Sequence, residues 1–215
     1  MKKIKAIIFD LDGTLANTLP LCVAAFRSSI EPLAGRSISD EEIIATFGPS
    51  EEGTLLALAP NDFDKGVADY LRFYEELHFM CPTPFEGMKE ILVRLQQHNI
   101  HISMVTGKGP ISAHVSLEKF GLTPFFEQVE TGIKNGPSKP EGIQRILNQL
   151  TGIAHDEVIY VGDAPTDVDA CRKVGIPIIA AAWAETAEPE KLIALNPDQL
   201  FYTVEDFKHW LFQNI

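Results

Sequence analysis

Apolar positions along the chain follow two rhythms. Ala6 to Phe9 are consecutively apolar, which predicts a strand buried on both faces, as inside a parallel sheet. After Leu15 the spacing turns helical. Leu19, Cys22, Phe26 and Ile30 recur on one helix face, Ser39-Asp40-Glu41-Glu42 reads as a capping box opening a short helix, and Leu55 to Leu58 suggests another. Phe63, Val67, Tyr70, Tyr74 and Leu77 form an apolar stripe on a longer helix. Cys81-Pro82-Thr83-Pro84 ends it, because a residue before proline avoids helical geometry. Residues 16–82 are therefore expected to be helical, with no strand among them.

From Phe85 helix and strand alternate, the pattern of a parallel sheet. Met88, Ile91, Leu92 and Leu95 mark a helix, and Ile100 to Val105 a strand. A helix from Ile111 to Phe120 closes at Gly121, and Phe126 to Glu130 is a short strand. Lys139-Pro140 opens a helix carrying Ile143, Ile146, Leu147 and Leu150. Strands follow at Val158–Val161 and Pro177–Ala182, and Val204, Phe207, Trp210 and Leu211 lie on a C-terminal amphipathic helix. The expected fold class is α/β: a Rossmann-like doubly wound parallel sheet from residues 1–15 and 83–215, with residues 16–82 inserted as an α-helical domain.

The polar groups that interrupt this pattern lie just after predicted strands or at helix starts, positions that converge on one edge of a parallel sheet. Asp10 and Asp12, at i and i+2, leave the first strand on one side, and Gly13 permits an abrupt turn. Carboxylates so close repel unless a cation joins them or one stays protonated; a plain Asp-Gly turn is the alternative. Thr106-Gly107-Lys108 offers a hydroxyl, a glycine that lets backbone approach a ligand, and a cation ahead of a helix N-terminus suited to an anion. A βα loop with a capping threonine fits the same residues. Lys139 is either a surface lysine or the counter-charge to an acid cluster. Gly162-Asp163-Ala164-Pro165-Thr166-Asp167 leaves an apolar strand with acids four apart, on one side of a starting helix, fit for a metal or for capping. Carboxylates without clustered His or Cys select a hard cation, Mg²⁺ foremost.

Charge sharpens this picture. The chain of 215 residues carries a net charge of −12, which disfavours nucleic acid and anionic membranes as partners and requires any anionic ligand to be attracted locally. Asp10, Asp12, Asp163 and Asp167 with a phosphate dianion exceed the charge of Mg²⁺ plus Lys139 by three. A like-charge pair at 4 Å costs roughly 4 kcal/mol at an effective dielectric near 20. Protonating Asp12 removes one charge and creates a general acid; Thr106 and backbone N–H groups absorb part of the rest. Cys22, Cys81 and Cys171 suggest neither disulfides nor a thiolate metal site, which fits a reducing, cytoplasmic setting. Met1-Lys2-Lys3 imitates a signal peptide, but Asp10 and Asp12 interrupt the apolar run, and no stretch approaches transmembrane length.

In this order, Asp10-Leu11-Asp12-Gly13-Thr14, Thr106-Gly107-Lys108, Lys139-Pro140 and Gly162-Asp163 to Asp167 resemble the haloacid dehalogenase-like phosphohydrolases. The helical insertion resembles their small cap, and Pro84-Phe85-Glu86-Gly87-Met88 and Ala182-Trp183 are similar to the phosphoglycolate phosphatase branch. The resemblance implies Asp10 as nucleophile through an aspartyl-phosphate and Asp12 as acid, then base. Thr106 and the Gly107 N–H would hold the phosphoryl group, with Lys108 beside them, and Lys139 would neutralise charge. Asp163 would bind Mg²⁺ with Asp10 and the Leu11–Asp12 backbone region, and Asp167 would be a second acid, acting through water or by orienting Lys139. Asp12 argues against dehalogenases and phosphonate-cleaving members, which lack an acid there.

Asn17-Thr18, Lys139-Pro140-Glu141-Gly142 and Ala184 depart from the common pattern, and none is expected to touch the chemistry. Arg27, Arg36 and the Gly48-Pro49-Ser50-Glu51 turn are candidates for choosing the substrate, a small phosphorylated metabolite, phosphoglycolate among them. A sugar phosphomutase on the same scaffold is the alternative activity. A receiver-like domain phosphorylated on Asp10 fits less well, given the insertion and Asp12.

Overall fold

The computed structural model describes residues 3–136 and 138–215; the Met1-Lys2 start of the signal-like run lies outside them. The described residues form six strands, β1 (Ala6–Phe9), β2 (His101–Val105), β3 (Gln128–Glu130), β4 (Val158–Gly162), β5 (Ile178–Ala181) and β6 (Gln199–Phe201). They make one parallel sheet ordered β3-β2-β1-β4-β5-β6. Strand β1 is central: Phe9 lies opposite Met104 on one side and Val161 on the other. Chain order reverses beside it, which opens a ligand crevice at the carboxyl ends of β1 and its neighbours.

The unbroken apolar run of β1 serves two cores. Ile7 and Phe9 join the apolar cluster on one face, whereas Ala6 and Ile8 join that on the other. All four are buried, and full burial of Ile7, Ile8 or Phe9 is worth about 1.5–3 kcal/mol each. A polar substitution at Ile8 would therefore strand an unpaired group between sheet and helices.

Four helices precede β2's own helix: α1 (Leu19–Ala34), α2 (Asp40–Ile44), α3 (Glu51–Leu58) and α4 (Phe63–Glu76). No strand occurs among them, as the spacing predicts. The Ser39 box forms: the Glu42 N–H donates to Ser39 Oγ at 3.2 Å and the Ser39 N–H to Glu42 Oε2 at 3.1 Å. The stripe on α4 buries Tyr70 and Tyr74 against α1, where Phe26 stacks on Tyr70 with ring centroids 4.1 Å apart. A short 3-10 turn (Leu77–Met80) follows before Pro82 and Pro84 return the chain to the sheet layer.

The remaining helices are α5 (Met88–Gln97), α6 (Pro110–Phe120), α7 (Lys139–Gln149), α8 (Pro165–Val174), α9 (Pro189–Ala194) and α10 (Val204–Asn214). Strand β6 and helix α9 are additions to the sequence reading. Neither has strong periodicity: Gln199–Phe201 is a partly exposed edge strand and α9 has six residues.

Candidate active site

Strand β1 hands Asp10 to the crevice at once, its N–H bonded to the Val161 carbonyl at 2.9 Å. The chain then turns at Gly13, whose φ of +70° suits glycine. A Cβ there would lie 2.0 Å from Asp163 Oδ2, so a side chain would displace that carboxylate. The Thr14 hydroxyl donates to Asp163 Oδ1 at 3.3 Å, and the Trp183 indole N–H donates to the Thr14 carbonyl at 3.0 Å. The first loop is thus tied to the ends of β4 and β5.

Lys139, the first residue of α7, reaches between two acids. Its Nζ donates to Asp10 Oδ2 and to Asp167 Oδ1, each at 2.6 Å. Asp167 is wholly enclosed, at 0% exposure, and both oxygens are occupied. Oδ1 also accepts from the Tyr160 hydroxyl at 3.1 Å, and Oδ2 accepts from the Ala164 N–H at 3.0 Å. Helix α8 begins at Pro165, so Asp163 stands in the preceding turn and does not share a helix face with Asp167. This corrects the four-residue spacing argument: the turn, not the helix, brings the two acids together.

Carboxylate oxygens of Asp10, Asp163 and Asp167 lie within 4.8 Å of one another. Burial pushes the Asp10 carboxyl up to about 7; Lys139 pulls it back, and Asp167 and Asp12 add to the rise. Asp163 is pushed well above the usual carboxylate range by burial, then by Asp10 and Asp167. For Lys139 burial works against the charge, but Asp10 and Asp167 outweigh it and raise the pKa. Two acids that resist ionisation side by side form a place where a cation is favoured.

Asp12 turns away from this trio. Its Oδ1 accepts from the Thr18 hydroxyl and lies 3.1 Å from Lys108 Nζ, with the Cys22 thiol at 3.8 Å. The Asn17-Thr18 departure therefore does reach an acid of the site, contrary to the sequence expectation. Lys108 is 6% exposed; its Nζ lies 2.9 Å from Cys22 Sγ and 4.3 Å from the centre of the Tyr74 ring. Thr106 is buried, with its hydroxyl accepting the Lys108 N–H at 3.2 Å. A Cβ at Gly107 would meet no atom within 4 Å, because that backbone faces open space.

Two clefts meet above these groups. The larger encloses about 1480 Å³, partly open to solvent, and is lined by Asp10, Asp12, Lys139 and Asp163. The smaller, about 410 Å³, is lined by Cys22, Phe26, Tyr70 and Lys108. Asp12, Phe47, Gly48 and Gly107 border both.

Of the substrate-choosing candidates, Gly48, Pro49 and Glu51 line the smaller cleft, whereas neither arginine lines either one. Arg27 is paired with Asp40 and Arg36 with Glu42, on the surface. Glu51 is buried, and Oε2 accepts the Gly109 N–H at 2.6 Å while Oε1 accepts the Ser112 hydroxyl at 2.9 Å. The first residue of α3 thus caps the start of α6. Cys22, Tyr74 and Tyr160 read as ordinary helix or strand positions, and only their tertiary contacts bring them to the site.

Sheet order and strand-end acids together mark a doubly wound α/β fold with an acid-lined crevice at the carboxyl edge of its sheet. A family model described as haloacid dehalogenase-like hydrolase matches residues 7–181. Pyrophosphatase PpaX of Bacillus pumilus is 32% identical, with 94% of each chain covered. Pyrophosphatase PpaX of Bacillus velezensis is 28% identical, covering 97% of this chain and 96% of the relative. The solved structure of a haloacid dehalogenase-like family hydrolase from Streptococcus pneumoniae superposes with a TM-score of 0.77 at 24% identity, covering 96% of this chain and 98% of that one. The chain belongs to the haloacid dehalogenase-like hydrolase family.

Proposed function

We propose that this protein is a Mg²⁺-dependent phosphatase that hydrolyses a small phosphorylated compound through an aspartyl-phosphate on Asp10. The observation that carries this reading is the clamp of Lys139 between Asp10 and Asp167, with Asp12 held apart on a lysine of its own. One acid is thereby oriented as nucleophile while its neighbour is left to move a proton.

The donor set fits Mg²⁺: the three clustered groups are all carboxylates, hard oxygen donors without competing His or Cys. Asp10 and Asp163, with the backbone at Leu11–Asp12, would hold it. Asp167 Oδ1 accepts from both Lys139 and Tyr160, so Asp167 orients Lys139. When bound, the metal would neutralise phosphoryl oxygens and draw the phosphate into an acidic cleft.

An Asp10 oxygen attacks phosphorus, the bond to the leaving oxygen breaks, and Asp12 gives that oxygen its proton. Lys139 steadies the charge on Asp10 and on the phosphoryl group. Thr106 and the Gly107 N–H hold the phosphoryl oxygens. Water then attacks the phosphoenzyme while Asp12 takes its proton, and inorganic phosphate leaves.

Residues 16–82 act as a cap over a core of residues 1–15 and 83–215, so that substrates are small and water is excluded during the first step. Phosphoglycolate and pyrophosphate are the leading candidates: the former from the branch the sequence resembles, the latter from the names of the relatives. Among the described residues no helix is long and apolar enough to cross a membrane, and a cytoplasmic setting fits the three unbridged cysteines.

A screen of small phosphate compounds with and without chelation tests this. Turnover that vanishes on chelation and returns with Mg²⁺ is expected. Equal turnover after thorough chelation, or none on any compound, would overturn it.

A further inference from the structure

The smaller cleft raises a question that the phosphoryl chemistry leaves open. It begins at Asp12, the group placed at the leaving oxygen, and runs away from Asp10 and Lys139 toward Phe26, Tyr70 and Lys108. A small group attached to the phosphoryl group can reach it, because Asp12 and Gly107 border both clefts. Among the described residues lining it, Lys108 is the only cation. The acid Glu51 is also there, but both its oxygens are committed to Gly109 and Ser112.

Lys108 is also poorly satisfied for a buried ammonium. It has three N–H donors. One carboxylate, Asp12, is within ion-pair reach at 3.1 Å. Its other neighbours are the Cys22 sulfur and the Tyr74 ring face, both weak partners for a cation. Burial pushes the Cys22 thiol up to about 12, so it stays neutral and supplies no counter-charge. An anionic oxygen would make a stronger, charge-assisted bond than either. Lys139 offers the contrast, with two carboxylates at 2.6 Å.

We propose that Lys108 is the specificity-determining residue for the leaving group, selecting small phosphorylated compounds whose leaving group carries a second negative charge. The inference rests on the phosphatase reading above and adds to it. It names the residue that distinguishes a carboxylate- or phosphate-bearing leaving group from a neutral one of equal size. The apolar walls from Phe26 and Tyr70 limit that group to a small one.

The test compares phosphoglycolate with hydroxyethyl phosphate, in which a neutral hydroxyl replaces the carboxylate, under Mg²⁺. The unaltered protein is expected to favour phosphoglycolate in kcat/KM by about tenfold or more, the range of a charge-assisted bond. Lys108→Met should bring that ratio to near unity, and Lys108→Arg should keep a clear part of it. A purely structural lysine would lower both substrates by one factor and leave the ratio alone. That result, or a ratio near one in the unaltered protein, would overturn the proposal. Should Lys108→Met not fold, Lys108→Gln decides, since it keeps an N–H donor without the charge: a ratio near unity supports the proposal and an unchanged ratio overturns it. Failure to hydrolyse either ester, or any other small phosphate compound, sinks the phosphatase reading itself, a different outcome from hydrolysis without selectivity.

Discussion

Two lysines, Lys108 buried and Lys139 half-buried, stand at the same sheet edge and are held in opposite ways. Lys139 is held from the sheet layer: its partners stand just after β1 and in α8, and Tyr160 of β4 and the Ala164 N–H hold Asp167 in turn. Lys108 leaves the core loop after β2 but rests on the helical segment, against Cys22 of α1 and Tyr74 of α4. The first arrangement is closed and rigid, which suits a group that must meet the same phosphoryl oxygens every time. The second is shared between two parts of the molecule, which suits a group whose partner varies with the substrate. Chemistry and selectivity are thus assigned to different lysines.

The largest effect that would break this comparison lies on the Lys139 side. Asp10→Asn and Lys139→Met should each fold and lower kcat by about 10³-fold or more on any phosphate ester, since such groups act as a unit. Steady-state assays with one aryl and one alkyl phosphate check this; normal turnover by either variant would contradict the assignment. Next in size is Asp12→Asn, expected to slow an alkyl ester by about 10²–10⁴-fold and an activated aryl ester far less, because only the poor leaving group needs the proton. Equal losses on both would remove Asp12 from that step.

Glu51→Ala sharpens the comparison from the helical side. It leaves the Gly109 N–H and the Ser112 hydroxyl without their buried acceptor, a loss of about 1–3 kcal/mol in unfolding free energy. Denaturant titration reads it, and an unchanged midpoint would show that α3 is not anchored there. Any fall in activity should be seen in KM more than in kcat.

The smallest effect is a pH slope. Asp10 has a carboxyl raised from 3.8 to about 7, chiefly by burial. Between those values the folded chelated protein keeps a proton that the unfolded chain releases. This group therefore stabilises the fold below about pH 4 and loses that contribution as pH rises to 7, by at most about 1.4 kcal/mol per unit. Thermal melts in chelator should show a shallower decline from pH 5 to 7 in Asp10→Asn. A slope equal to that of the unaltered protein would contradict the shift.

The difference between the lysines also marks what the sequence could reveal. The cluster of Asp10, Lys139 and Asp163 is legible because each follows an apolar strand or opens a helix, and a parallel sheet gathers those positions by geometry alone. Lys108 was legible as a member of a loop, but its partners were not. Cys22 and Tyr74 sit on apolar helix faces where periodicity predicts only packing, and nothing local tells which core position turns toward a lysine from another layer. Arg27 and Arg36 drew attention as cations, yet Asp40 and Glu42 pair with them nearby on the surface. Strand β6 escaped because three partly exposed residues carry too little pattern. The Asp163–Asp167 pair shows in the sequence as a four-residue spacing, but helix α8 starts only at Pro165 and the turn before it brings the two acids together.

The central claim is that the Lys139-clamped carboxylate of Asp10 takes the phosphoryl group. Rapid acid quench during turnover of a phosphorus-labelled substrate with Mg²⁺, followed by peptide mapping, measures this directly. The account predicts label on the peptide bearing Asp10, absent in Asp10→Asn and lost on incubation in base, as an acyl phosphate should be. Label on another residue, or undiminished turnover by a variant that cannot carry label at position 10, would contradict it.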